Sequence, residues 1–290
     1  MNIFQILQVL LPIILISALG YIYARFRKAE PQVVSDIIIY LSIPALFFNS
    51  FYSHDLILKE LPGTFLTITM VMGATALLIY LLKQVWPLPR MLYATSLFMN
   101  SSFVGFPVML LAYGQEGLNR AIIYDFFNGI LIFTLGIYIA SGRKDRFELF
   151  KVPFFYASIL GLGLNLMNVE LPAILLTSIQ MLGSITIPLA LLMLGFRLGM
   201  TRIRSLALPA LSTVLRMVLG AVLAFGLVRF FKIGPEFGKA LIVMSALPSA
   251  FMGLVLAEKY KTEEDFTASA IALSTLFAVI FIPILLWILK

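Results

Sequence analysis

The residues that could do chemistry in this chain are few, and they cluster. Asn100, Ser101 and Ser102 stand in a row and are followed by Gly105 and Pro107, in the stretch NSSFVGFPVML. A second stretch, SALPSAFMGLVLA from Ser245 to Ala257, carries Pro248, Ser249 and Gly253, and between the two lie Asp125, Asn128 and Arg216. Amides and hydroxyls exchange hydrogen bonds but are not nucleophiles without an adjacent base, so the chemistry on offer is recognition of a polar ligand. The rest of the chain adds no catalytic apparatus. It has no cysteine and one histidine, His54, in a polar turn, so disulfides, thiolate metal sites and a cysteine nucleophile are excluded. No Gly-x-Ser-x-Gly elbow, His-Glu-x-x-His helix or Walker A loop is present, which argues against an enzyme and gives no cofactor or metal to expect. Neither the charge ring nor the filter sequence of a channel is evident.

The elements that must position these residues are spanning helices. Of 290 residues 61% are hydrophobic and 12% charged, and the mean hydropathy is +1.02, the composition of an integral membrane protein. Ten apolar runs are long enough to cross a bilayer: 3–24, 32–51, 61–83, 90–112, 120–141, 151–168, 172–198, 206–230, 236–257 and 265–289. The first lacks a positive n-region and a cleavage site, so it reads as a retained helix. The cluster around Asn100 falls inside the fourth run. Proline removes a backbone donor, glycine adds chain entropy, and lipid offers no water to satisfy what they expose. A break there is tolerable only where it lines a cavity enclosed by protein.

Charge sets the expected orientation. The net charge of +7 is spread between apolar runs rather than gathered in one patch, which points to the lipid bilayer and away from nucleic acid. Odd-numbered connections, counted with the helix ends that border them, hold fourteen Lys and Arg residues, whereas even-numbered ones hold only Lys59, Arg120, Arg229, Lys232 and Lys239. Positive residues stay on the cytoplasmic side, so both termini are expected to be extracytoplasmic.

The chain also matches itself in order. Pro12, Ser17, Leu19 and Gly20 pair with Pro153, Ser158, Leu160 and Gly161; Ile43 and Pro44 with Ile187 and Pro188. Leu61, Pro62 and Gly73 pair with Leu208, Pro209 and Gly220, and Pro107 with Gly253. These pairs predict two five-helix repeats, 1–141 and 151–290, the second inverted because five is odd. Inverted repeats with a broken helix in each half are characteristic of secondary transporters, which bind substrate near the midplane.

With these patterns in hand, the chain resembles the auxin efflux carrier family, the bacterial relatives of the plant PIN-FORMED carriers. Asn100 with Gly105 and Pro107 is similar to the family's fourth-helix pattern. ALPSAFMGLVLAEKY, Ala246 to Tyr260, looks like its ninth-helix segment, and IPLALLMLG, Ile187 to Gly195, is similar to a stretch of bacterial members. The resemblance implies an all-α membrane protein with crossed, broken helices four and nine. It also implies a scaffold of helices 1, 2, 6 and 7 and a transport domain of helices 3–5 and 8–10. By the same resemblance the protein is a homodimer in the cell membrane, the inner membrane of a bacterium, that moves organic anions by an elevator-like motion. A sodium-coupled anion symporter on a similar fold is the alternative. Two departures stand out: Gly253 occupies the position of the plant carriers' crossover proline, and only Gly142 to Lys151 joins the halves.

Each polar residue has a plainer reading. Asn100 either binds substrate or satisfies a neighbouring helix, and Asn128 divides the same way. Freed amides and half-helix N-termini attract a carboxylate, which favours a site at Asn100, Ser101 and Ser102. Asp36 and Asp125 fall within two turns of their predicted helix starts, where they complement the macrodipole. Asp125 is the better proton carrier of the two because it shares a helix with Asn128. Arg216, a third of the way into helix eight, has three readings: it binds an anionic substrate, pairs with Asp125, or snorkels to the cytoplasmic face.

Overall fold

Apolar runs in lipid must satisfy their own backbone groups, and here they do so as helices. The computed structural model of the chain describes residues 3–27, 32–53, 56–142 and 149–289. His54, the loop cations Lys28, Arg143, Lys144 and Arg146, and the terminal residues Met1 and Lys290 lie outside these. The protein is 85% helical and has no strands among the described residues. The helices are α1 (Ile3–Phe26), α2 (Gln32–Ser53), α3 (Leu56–Lys83), α4 (Met91–Leu97), α5 (Ser101–Ser141) and α6 (Pro153–Leu166). There follow α7 (Ala173–Met200), α8 (Ala207–Phe230), α9 (Pro235–Ser245), α10 (Met252–Tyr260) and α11 (Glu264–Ile288).

Seven of these helices, α1, α2, α3, α5, α7, α8 and α11, are long and apolar enough to cross a membrane. The other three expected segments take different forms. Segment 151–168 gives the shorter apolar helix α6, while 90–112 and 236–257 each break into two pieces. The expected loop between the fourth and fifth segments is also replaced by a kink. At Gly114, φ is 68° and ψ −159°, a conformation that glycine alone adopts cheaply, and helix continues on both sides.

Chain contacts divide the molecule into two units. One comprises Met1–Leu10, Glu60–Arg146 and Thr201–Lys290; the other comprises Leu11–Lys59 and Phe147–Met200. The second unit is held by close backbone approach. A Cβ on Gly195 would lie 1.7 Å from the Ser17 carbonyl oxygen, and one on Gly20 would lie 2.0 Å from that of Leu192, so α1 and α7 touch main chain to main chain. Tyr52 ties down the turn after α6: its hydroxyl donates to the Val169 carbonyl at 2.9 Å and accepts from the Leu171 N–H at 3.0 Å. The buried polar side chains of this unit, among the described residues, are serines and threonines.

The first unit differs in what it buries. Ile79, Leu88, Leu92 and Leu215 form an apolar cluster, yet Asn100, Asn119, Asp125, Asn128, Glu60 and Arg216 are buried as well. Glu60 and Arg120 satisfy each other, with Nε 3.1 Å from both carboxylate oxygens. Asn119 accepts from Gln115 one turn earlier, and Asp125, Asn128 and Arg216 converge on the two breaks.

Candidate functional site

α4 stops at Leu97 because Phe98 turns to extended backbone, with φ −94° and ψ 134°. Helix resumes at Ser101 as a wide π turn, Ser101–Gly105. The first break is therefore Phe98–Asn100, which corrects the expected break at Gly105 and Pro107. Pro107 sits at the start of the α-helical stretch beyond, where a missing donor costs little. Gly105 serves packing instead: a Cβ there would meet Leu247 Cδ1 at 2.7 Å. The second break runs over 246–251 around Pro248. Gly253 lies beyond it in the first turn of α10, with room for a side chain, since a Cβ would find nothing closer than 4.0 Å.

The two breaks repair each other's backbone. Asn100 N–H donates to the Pro248 carbonyl at 2.8 Å and Ala250 N–H to that of Phe98 at 2.9 Å, around a single antiparallel bridge between Met99 and Ser249. Proline suits this position because only its carbonyl needs a partner. Met99 is completed from α5, where Asn128 acts as a substitute strand. Its Nδ2 donates to the Met99 carbonyl at 2.9 Å and its Oδ1 accepts the Met99 N–H at 3.4 Å. Ser249 is consumed as well, its Oγ donating to the Thr95 carbonyl at 2.6 Å and its N–H to Ser274 Oγ at 3.1 Å.

Two buried ionisable side chains, Arg216 and Asp125, attend the broken ends. α4 and α9 both end in the crossover with carbonyls that have no helical successor, the negative pole of each helix. Arg216 supplies the donors: Nη1 to the carbonyls of Ser96 (3.2 Å) and Leu97 (2.7 Å), Nη2 to that of Ser245 (2.5 Å). Its exposure is 0%, so it does not snorkel, and no ion pair joins it to Asp125 among the described residues. A π turn at Val214–Val218 aims it, and Gly220 lets α8 come close, since a Cβ there would lie 2.2 Å from the Ser245 oxygen. Asp125 serves the opposite pole. It accepts hydrogen bonds from the hydroxyls of Ser101 and Ser102, at the N-terminal end of α5, and a longer one from Asn128 at 3.4 Å. Counted from Gly114, Asp125 lies in about the third turn of its own stretch, later than the sequence suggests. The dipole it complements belongs to the start of α5 after the break.

Two donors at the crossover are left over, Arg216 Nε and the side-chain amide of Asn100. Asn100 is 5% exposed and its Nδ2 has no partner. The arrangement thus offers a buried donor beside two hydroxyls and an ionisable carboxylate. Among the described residues no group of three or more His, Cys, Asp or Glu side chains could hold a metal ion.

Several participants escaped the sequence reading. Tyr124 shares a 2.8 Å hydrogen bond with Ser245 Oγ, and Ser212 donates to Thr95 Oγ1 at 2.8 Å and lies 3.2 Å from Ser96 Oγ. One signal was available: Ser96 precedes Asn100, and Ser245 precedes Ser249, by the same four residues.

Comparison with known proteins finds transporters that match along nearly the whole chain. An uncharacterized transporter of Methanocaldococcus jannaschii is 27% identical over 305 aligned residues, covering 98% of each chain. One of Methanothermobacter thermautotrophicus is 27% identical over 96% of each chain, and the uncharacterized transporter YfdV of Escherichia coli is 25% identical over 96% of this chain and 95% of its own. The pattern of a family described as membrane transport protein matches residues 5–149 and again 138–287, so the chain belongs to this auxin efflux carrier-like family of membrane transporters.

Proposed function

We propose that the protein is a secondary transporter of small organic anions, carboxylates or auxin-like compounds, that works by elevator-type alternating access. Family membership supports transport. Asn100 carries the anion reading: a buried amide donor without a partner, at the N-terminal end of a half-helix whose dipole favours negative charge. The proposed contacts narrow to Asn100 with Ser101 and Ser102, because Asn128 and Ser249 are already engaged by the backbone. Two breaks, each within an expected spanning segment, support ten membrane crossings in two inverted repeats. The division into units supports an elevator in which helices 3–5 and 8–10 move against 1, 2, 6 and 7, since each unit draws on both halves of the chain. Homodimerisation and extracytoplasmic termini complete the proposal, from the resemblance and the charge asymmetry.

Thermal stability of the purified protein across mono- and dicarboxylates tests the substrate class, because a ligand that binds only the native state raises the melting temperature. A concentration-dependent rise with at least one carboxylate is expected; a flat response across the panel contradicts it. Uptake into proteoliposomes with sodium replaced by choline then separates the sodium-coupled alternative, which would stop.

A further inference from the structure

The start of α5 presents the positive end of a helix, and the protein keeps a carboxyl group of its own there. Ser101 and Ser102 both point their hydroxyls at Asp125, and Asn128 adds a third donor. A substrate carboxylate reaching Asn100 Nδ2 would enter beside this group and compete for the same hydroxyls. Across the crossover Arg216 carries the compensating positive charge, spent on three carbonyls. The buried set is therefore balanced, one cation to one carboxylate. Nearby, Arg120 pairs with Glu60 and Glu116, and Lys239 with Glu236. A second buried negative charge would find no further buried cation among the described residues, and an unpaired charge in the interior is costly.

We infer that an organic anion binds at Asn100 together with one proton, taken from the same aqueous side and held by Asp125 or shared between the two carboxylates. This rests on the anion-transport reading above. Two carboxylates that share one site hold a proton between them because both cannot be ionised at contact distance. Protonation of Asp125 also releases donors: Ser101 and Ser102, no longer drawn to its full charge, are free to turn their hydroxyls to the substrate. The bound state is then neutral overall, one Arg216 cation against one substrate anion, and can cross the membrane without carrying net charge. Substrate movement is thereby coupled to the proton gradient with one proton per monovalent anion.

The test uses benzoate, pyruvate and phenylacetate, which stay ionised between about pH 6 and pH 8 as ordinary carboxylic acids do. Affinity of the wild-type protein for whichever probe binds is measured over this range, and proton uptake is measured by calorimetry in buffers of different ionisation enthalpy. One bound proton weakens affinity by about tenfold per pH unit where Asp125 is ionised in the free protein. Uptake approaching one proton per anion is expected there. Asp125→Asn, which keeps size and hydrogen bonding but cannot ionise, should bind the probe with no pH dependence. A wild-type affinity flat in pH with no proton uptake overturns the coupling while leaving the anion site intact. Affinity that follows sodium rather than pH also overturns it. If no carboxylate binds at any pH, the substrate reading falls and the coupling with it.

Discussion

The two units solve the same problem, holding helices together in lipid, by opposite means. The unit of Leu11–Lys59 and Phe147–Met200 brings backbones into contact through Gly20, Gly161 and Gly195 and buries only hydroxyls among polar side chains of the described residues. The other unit breaks two helices and then rebuilds what the breaks cost with Asn128, Arg216, Asp125 and Ser249. Dispersion and close fit suffice where the chain stays helical, since no polar group is orphaned. Polar side chains become necessary where backbone is unwound, since each unsatisfied group in a dry interior is expensive. The difference separates a frame from a site.

The sharpest way to break the comparison is to remove Arg216. Arg216→Met should destabilise the protein by several kcal/mol, because three buried carbonyls lose their donor at about 1 to 3 kcal/mol each. Arg216→Lys, with a single head group for three carbonyls on two helices, should recover only part of this. Unfolding in detergent followed by circular dichroism gives both values.

In the other unit the largest effect should come from a methyl group. Gly195→Ala places a Cβ against the Ser17 carbonyl and should cost about 1 to 3 kcal/mol through forced separation of α1 and α7. The matched pair Gly73 and Gly220 sharpens the contrast. Gly220→Ala meets the Ser245 oxygen and Arg216 Nη2 and should lose about as much, whereas Gly73 has nothing within 4 Å and Gly73→Ala should be neutral or gain up to about 1 kcal/mol from helix propensity. Melting temperatures of the three variants decide this; equal effects at Gly73 and Gly220 would mean that the crossover is not what Gly220 protects.

Much of the fold was legible because apolar run length and the spacing of proline and glycine report directly on helices and their interruptions. An interruption of each of two runs otherwise fit to span was readable, from Gly105 with Pro107 in the fourth and from Pro248 in the ninth. The location of the first break was not, because Phe98 and Met99 are equally at home in a spanning helix; they become extended through pairing with Ala250 and the Asn128 side chain, contacts distant in sequence. Arg216 was visible as an anomaly but its role was hidden, since its partners are carbonyls, which every residue has. Asp125 was assigned to the wrong dipole because Gly114 kinks the helix instead of ending it, so the true start lay earlier than the hydrophobic pattern suggested.

The central claim is that the crossover uses its polar side chains for structure and leaves Asn100 for a ligand. Ligand affinity and melting temperature, measured together on Asn100→Ala and Asn128→Ala, test it most directly. Asn100→Ala keeps the backbone bond to Pro248 and loses a side-chain donor that has no partner, so its melting temperature should stay near that of the wild type while carboxylate affinity falls by about 1 to 3 kcal/mol. Asn128→Ala should lower stability by a similar amount, because both backbone groups of Met99 lose their partner. A stable Asn100→Ala protein with unchanged affinity, or one that melts early with affinity intact, would contradict the assignment of Asn100 to the site.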